Sequence, residues 1–401
     1  MMRRRELDIL YVATRVALVF LLPLYISDVS IYTGYAAKIL NDHQVPYRDW
    51  NFEYPPLALP LMLIPGLALK FLGESNSAEL FRLFFAFLLL PFDLLLFRAY
   101  RLAPPIRGAA FAYVMLTTAL GLLLFDRFDI AVGFLIAWPF LGPKRDDRFW
   151  FWWGLGGALK LVPLLLAPAR YLDWEGTPKD KIIRLVKFGA GATLPLAISV
   201  GAVAAVAHGK LPFFSQHAER GVQIESLIGS AVMFLQSVTS LIKVGVNTNF
   251  GAQHLAETGP LVGLSRLLFY GSLAGTFAAL WWRRRRWDSL GASWMVISAF
   301  VTFGYVLSPQ YLLWLVPIAL CAAARIPAGP QRAAWLGAFS WAVILTGIHF
   351  RFYWDYVNLH YLAVSMVLGR NLLLILLWGL SWAWMERPAV APSQSAAPVL
   401  S

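Results

Sequence analysis

Residues 80–98 read LFRLFFAFLLLPFDLLLFR, with Arg82, Asp93 and Arg98 as the only charges. Wound as an α-helix, a run of about 20 residues covers the roughly 30 Å hydrocarbon core of a bilayer. Every face of this helix is apolar, which suits lipid rather than a surface exposed to water. Further apolar runs lie at 8–26, 57–72, 108–124, 129–142, 149–169, 186–207, 260–282, 289–307, 310–324, 333–349 and 361–384.

Of the 401 residues, 59% are hydrophobic and 14% charged, against roughly 25% charged in a soluble protein. The expected fold is all-α: a polytopic transmembrane helical bundle over residues 1–386, forming a single domain. A tail over 387–401, rich in Ala, Pro and Ser, is expected to be disordered and cytosolic. The net charge of +12 sits in short loops between apolar runs, which is the positive-inside pattern rather than a nucleic-acid surface. Membrane lipids are therefore the expected partners and nucleic acid is not. Cys321 is the only cysteine, so no intrachain disulfide can form. The basic start at Arg3–Arg5 followed by an apolar run resembles a signal peptide, but Tyr25 is bulky where a cleavage site needs a small residue. An uncleaved first span is expected.

Simple alternation through the twelve runs places the basic loops Arg98–Arg107 and Lys144–Arg148 outside, against the positive-inside rule. Two changes restore it. Residues 57–72 are short and carry Pro60 and Pro65, so they are read as an outer juxtamembrane helix. The run 149–169 has basic flanks on both sides and Lys160 and Pro163 at its centre, which suggests two half-helices turning at Lys160 near the outer face. About 12 crossings result, with both termini cytosolic. The outer face then carries a loop over 27–56 leading into the juxtamembrane helix, and a long loop over 208–260.

Chemistry is expected on that face. Asp28 follows the first span closely, where partial desolvation raises the basicity of a carboxylate, as a general base requires; a helix cap or a solvated loop acid is the structural alternative. Tyr32, Tyr47 and Tyr54 near it could stack on a sugar or act as interfacial belt residues. Arg48 and Glu53 either join them in holding a sugar or acceptor, or hold the loop in shape. In Phe125-Asp126-Arg127-Phe128-Asp129, the two acids either neutralise Arg127 or line a polar cavity with it. They lack a further acid or His at ligand spacing, so no metal site and no cofactor is expected. Ser308, Gln310 and Tyr311 open a span with polar groups where backbone N–H groups favour an anion, although Ser308-Pro309 is also ordinary capping grammar. His349 and Arg351 end the next span and are further candidates for phosphate. Lys160 within an apolar run needs a partner, either a phosphate or an acid such as Asp126 or Asp129.

These elements together resemble the GT-C superfamily of membrane glycosyltransferases, and within it glycosyltransferase family 87. The resemblance rests on Asp28, Pro46-Tyr47, Tyr54 to Leu57, Asp126-Arg127-Phe128-Asp129, Lys160 with Pro163, and Ser308 to Trp314, and covers most of the chain. It implies a polyprenyl-phosphate-linked mannose donor, inversion at the sugar, Asp28 as the base that deprotonates an acceptor hydroxyl, and Lys160 near the departing phosphate. The acceptor would be a glycolipid or glycan at the outer face of the plasma membrane. The chain departs from the family at the Asp126–Asp129 corner, where many members carry a Gly-Gln or Arg-Gly-Asn type sequence, and in the loop 208–260, which has no matching motif.

Two other functions compete. An oligosaccharide ligase needs basic residues and a catalytic His in a long late loop, whereas Lys210, Arg220 and Lys243 are widely spaced. A lipid-linked-sugar transporter or flippase needs ionisable groups at the bilayer midplane and often repeated halves. Arg15, Arg82, Asp93, Arg266 and Arg370 are read here as lying near span ends.

Overall fold

The apolar runs form helices in a computed structural model that describes residues 3–21, 28–74, 77–141, 149–174, 176–206, 220–249, 251–256 and 259–386. α1 (Arg4–Val16) continues as a π-helical turn (Ala17–Leu21), and α2 (Val29–Leu40), α3 (Ala58–Leu72), α4 (Ala78–Leu102) and α5 (Ala109–Ala119) follow. Next come α6 (Leu123–Asp126), α7 (Asp129–Leu141), α8 (Phe149–Leu159), a 3-10 segment (Val162–Asp173) and α9 (Pro178–Val206). After α10 (Leu227–Val238), strands β1 (Val246–Asn249) and β2 (Ala252–Leu255) lead to α11 (Gly259–Trp282) and α12 (Ser289–Phe303). A 3-10 turn (Pro309–Tyr311) opens α13 (Leu312–Ala322), and α14 (Pro330–Arg351), α15 (Tyr353–Val357) and α16 (Tyr361–Trp384) complete the order.

Five helices, those at Ala78–Leu102, Pro178–Ala205, Gly259–Trp282, Pro330–Arg351 and Tyr361–Trp384, are long and apolar enough to cross a bilayer. Their outward faces carry bare aliphatic side chains such as Ile198 (64% exposed) and Leu267 (72%), a pattern that suits hydrocarbon rather than water. The expected helical class holds, with one small addition: β1 and β2 pair antiparallel with Val246 opposite Leu255 and Asn249 opposite Ala252. The expected loops are also more ordered than loops. Residues 29–40 form α2 inside the 27–56 segment, and 227–238 form α10 inside the 208–260 segment. The tail over 387–401, Tyr25 and the loop Lys144–Arg148 lie outside the described residues.

α1 and α4 run antiparallel and are joined at three heights. Asp8 meets Arg101 (2.6 Å), Arg15 meets Asp93 (2.8 Å), and Arg82 Nη2 donates to the Leu18 carbonyl (2.8 Å). Asp93 is therefore mid-helix, not near a span end as the sequence suggested. Arg370, the tenth residue of α16, is likewise mid-helix and fully buried.

Phe149, at the start of α8, stacks under the Arg170 guanidinium, 3.9 Å from the ring centroid. Since the two residues bracket Lys160, the chain reverses there. The turn is tight because Gly156 and Gly157 face Pro163 and Leu164, where a Cβ would come within 2.8 Å and 2.3 Å of their side chains. Across the bundle, a Cβ on Gly133 of α7 would lie 2.2 Å from the Leu313 carbonyl oxygen of α13, so only glycine permits these two helices to touch.

α3 leaves from Tyr54 and Pro55 and leads into α4. There Arg82 reaches Asp126 (2.9 Å) and the Phe85 ring packs against Tyr32 (5.5 Å between centroids). Both ends of α3 therefore stay at the end of the bundle that holds Asp28. Ser75, a natural labelling position for testing this, is outside the described residues, but Glu74 beside it is exposed. In a Cys321→Ser background, a membrane-impermeant maleimide is expected to label Glu74→Cys and Ser308→Cys on intact cells, and Pro104→Cys only after permeabilisation. Labelling of Pro104→Cys without Glu74→Cys would place α3 across the membrane.

Candidate functional site

Asp28 occupies the N-cap position of α2, yet its carboxylate makes no capping bond. It pairs instead with Arg127 at the corner between α6 and α7. That corner distributes its charges among three partners. Asp126 accepts from Arg82 Nε at 2.9 Å, and Asp129 Oδ1 accepts from Lys160 Nζ at 2.8 Å and from Trp314 Nε1 at 2.7 Å. Of the two expected arrangements of the corner, the second holds for Arg127 alone. The two acids do not neutralise Arg127, and of the three only Arg127 lines the cavity.

The cavity has a volume of about 70 Å³, room for several waters. From the residues picked in the sequence it gathers Asp28, Glu53, Tyr54, Arg127 and Lys160. Ser308, Gln310 and Tyr311 complete the lining, with the Tyr311 ring 5.2 Å from Lys160 Nζ. The Ser308 hydroxyl makes no capping bond to the turn it precedes. Gln310 Oε1 is buried without a hydrogen-bond partner among the described residues, and a buried acceptor left open is costly unless a ligand or water fills it.

Other predicted residues stand elsewhere. Tyr32 is fully buried beneath the site, between Phe85 and Phe128. Tyr47 is buried, with its hydroxyl on the Tyr54 carbonyl at 2.6 Å, and so shapes the loop. Arg48 is at the surface, where its hydrogen bonds hold the neighbouring Asp49 carboxyl down at about 2. Arg351 is exposed and lines no part of the cavity. His349 is buried with Nε2 2.8 Å from Glu225 Oε1, which makes it a support for residues 220–226 rather than a phosphate ligand.

That segment is what the sequence reading missed. Arg220 pairs with Glu53 at 2.8 Å, and Gln223 donates from Nε2 to Glu225 Oε2 at 2.8 Å while its own Oε1 is left without a partner among the described residues. Both line the cavity. The backbone here is suspended from the C-terminal helices. The Glu225 carbonyl accepts from Arg370 Nη2 (2.6 Å) and Asn371 Nδ2 (3.1 Å), and the Ile224 carbonyl accepts from the Tyr356 hydroxyl (2.5 Å). The signal available was the polar run Gln223-Ile224-Glu225-Ser226 ahead of an apolar helix, where Ser226 accepts from Gly229 N at 3.1 Å as the N-cap of α10.

Three cations line the cavity and each already holds a carboxylate: Arg127 pairs with Asp28, Arg220 with Glu53 and Lys160 with Asp129, so the charges balance and an anionic ligand would have to compete with these pairs. The Lys160 ammonium is caged by aromatic faces, 4.8 Å from the Trp314 centroid, 5.2 Å from Tyr311 and 5.4 Å from Phe128. Burial pushes the Asp28 carboxyl above its ordinary range; Arg127 opposes this, Asp129 adds to it and Lys160 opposes it. Burial raises Glu53 in the same way, against Arg220. No family model, curated protein or solved structure matches the chain.

Proposed function

We propose that the chain is an inverting GT-C-type glycosyltransferase of the plasma membrane. In this reading it has about 12 crossings and moves a hexose, mannose foremost, from a polyprenyl-phosphate carrier to a glycolipid or glycan acceptor at the outer face. The observation that carries the proposal is a half-buried carboxylate, Asp28, sharing one small cavity with three paired cations and with open amide acceptors at Gln223 and Gln310. A hydroxyl-rich substrate supplies the donors these amides lack, and its phosphate would take over cations now held by carboxylates. Asp28 takes the proton from the acceptor hydroxyl as that oxygen bonds to the anomeric carbon. The bond from that carbon to the phosphate oxygen breaks and its electron pair leaves on the phosphate, so the products are the glycosylated acceptor and the polyprenyl phosphate. Lys160 and Arg220 stabilise the charge that develops there. Purified protein in lipid, given a labelled polyprenyl-phosphate sugar, should transfer the label to acceptor and release polyprenyl phosphate; retention of all label on the donor would sink the reading.

The mid-helix position of Asp93 and Arg370 favours a transporter as the second reading. Counterflow of labelled lipid-linked sugar across sealed vesicles, without any transfer to acceptor, is the result that would select it.

Protonation of Asp28 removes the base, so activity is lost as pH falls through its pKa. Because burial raises that pKa, the acid limb of the kcat/KM profile should lie above the ordinary carboxylate range of about 3.9. Arg127 lowers it, so Arg127→Gln should move the limb to higher pH. A limb that stays put or moves down contradicts Asp28 as the titrating base.

Lys160 has an acid partner already, which makes a single substitution ambiguous. Lys160→Gln leaves Asp129, 2% exposed at its side chain, buried without its cation, at a cost of about 3–5 kcal/mol. The Lys160→Gln/Asp129→Asn double variant removes both charges and is expected to recover most of that stability while donor affinity stays low. Wild-type donor affinity in the double variant would make the lysine purely structural.

A further inference from the structure

A second and much larger cavity, of about 770 Å³, lies at the other end of the bundle. α7 and α12 connect the two. Asp129 sits behind the Asp28 cavity while Pro139 and Phe140 line the second one, and α12 runs from Ser289 in the second to the chain leading to Val306 and Ser308 in the first. At 1.5 Å per residue, the 15 residues of α12 separate them by about 22 Å.

Five cations, Arg170, Lys181, Arg284, Arg285 and Arg325, line it against two acids, Asp173 and Asp288. Both acids are already engaged. Asp173 accepts from Arg170 Nη1 and from the Ser289 backbone N–H, each at 2.8 Å, and from the Ser289 hydroxyl. Asp288 pairs with Arg325 and caps α12 through Gly291 N at 2.9 Å. Among the described residues no carboxylate lies within ion-pair distance of Lys181, Arg284 or Arg285. Lys181 Nζ is 5.3 Å from the Tyr171 ring, and the Arg284 guanidinium is 5.4 Å from the Trp281 ring and donates from Nη1 to the Trp281 carbonyl at 3.2 Å. Three cations without a carboxylate partner among the described residues thus line one cavity, two of them against rings of the kind that mark a membrane interface. Directly beside Lys181, Ile182 (54% exposed) and Val186 (66%) present an apolar strip on α9.

We propose that this cavity binds the phosphate headgroup of an anionic lipid, with its acyl chain along Ile182 and Val186. Basic cavities between membrane helices take such headgroups because phosphate meets several cations at once in a site of reduced dielectric. Binding itself does not depend on the glycosyltransferase proposal; only the leaflet, opposite to the Asp28 cavity and hence cytosolic, rests on that reading.

The test uses the full chain in phosphatidylcholine nanodiscs with increasing phosphatidylglycerol, reading retained lipid by native mass spectrometry and melting temperature by intrinsic fluorescence. Wild type is expected to retain phosphatidylglycerol and melt higher as its fraction rises. Lys181→Gln/Arg284→Gln/Arg285→Gln should bind it at least 10-fold more weakly while melting like wild type in pure phosphatidylcholine. Arg283→Gln/Arg286→Gln, whose side chains are directed at Glu386 (3.5 Å and 3.6 Å), should bind like wild type. An equal loss in both variants would indicate nonspecific surface charge and overturn the site, as would wild-type binding by the triple variant. If inorganic phosphate alone raises the melting temperature as far as the lipid does, the ligand is free phosphate and the lipid assignment fails. None of these readouts depends on turnover, so an inactive glycosyltransferase assay leaves them unaffected.

Discussion

Asp28→Asn is expected to lower turnover by about 10²-fold or more, the usual effect of losing a positioned general base. The amide keeps the shape of the carboxylate and can still accept from Arg127, so folding and membrane insertion should change little. What it loses is the capacity to take a proton from the acceptor. Donor affinity should be retained, because the cations assigned to phosphate are Lys160 and Arg220. Turnover near wild type at matched protein level would remove Asp28 from the mechanism; loss of both turnover and folded protein would assign it a structural role through the pair with Arg127.

The second large effect is on stability. Asp93, fully buried, accepts from four donors: Tyr11 hydroxyl (2.8 Å), Arg15 Nε (2.9 Å), Arg15 Nη2 (2.8 Å) and Tyr113 hydroxyl (2.7 Å). Asp93→Leu strips all four of their acceptor and leaves Arg15, only 4% exposed, as an unpaired charge between α1, α4 and α5. A cost of about 3–5 kcal/mol is expected. Adding Arg15→Leu should recover much of it, because removing both members of a buried pair is far cheaper than removing one. Denaturant unfolding of both variants in the same detergent checks this. A single variant within about 1 kcal/mol of wild type would mean that the Asp93–Arg15 pair does not hold these helices together.

The reading from sequence succeeded where local chemistry decides the structure. Lys160 and Pro163 in an apolar run predicted a reversal, and Phe149 beneath Arg170 is that reversal. Two prolines in a short run predicted that 57–72 does not cross, which the maleimide labelling of Glu74→Cys and Pro104→Cys decides. Asp28, Arg127, Lys160 and Gln310 converge on one cavity because each stands at an element boundary, where the chain leaves its regular hydrogen bonding. Failures came where a partner distant in sequence decides. Nothing near Asp126 in sequence indicates that Arg82 will claim it. Nothing near His349 points to Glu225, 124 residues away. Arg220 and Gln223 were missed for the same reason, since their placement depends on Tyr356, Arg370 and Asn371, which belong to the last helices of the chain.

The contact of Gly133 with the Leu313 carbonyl makes the cavity mechanically lopsided. Asp129, Trp314 and the Ser308–Tyr311 turn belong to two helices that interlock without a side chain between them, so this wall has no slack. The opposite wall, built from residues 53–55, 220–223 and 251–252, is mostly loop, tied in by the Arg220–Glu53 pair, by backbone bonds from Gln223 to Tyr305 and from Leu255 to Val222, and by the bonds of Tyr356, Arg370 and Asn371 to residues 224–225. On the glycosyltransferase proposal, the looped flank is the side that yields to a sugar against a fixed jaw, and the Arg220–Glu53 salt bridge is one of the contacts that such yielding breaks.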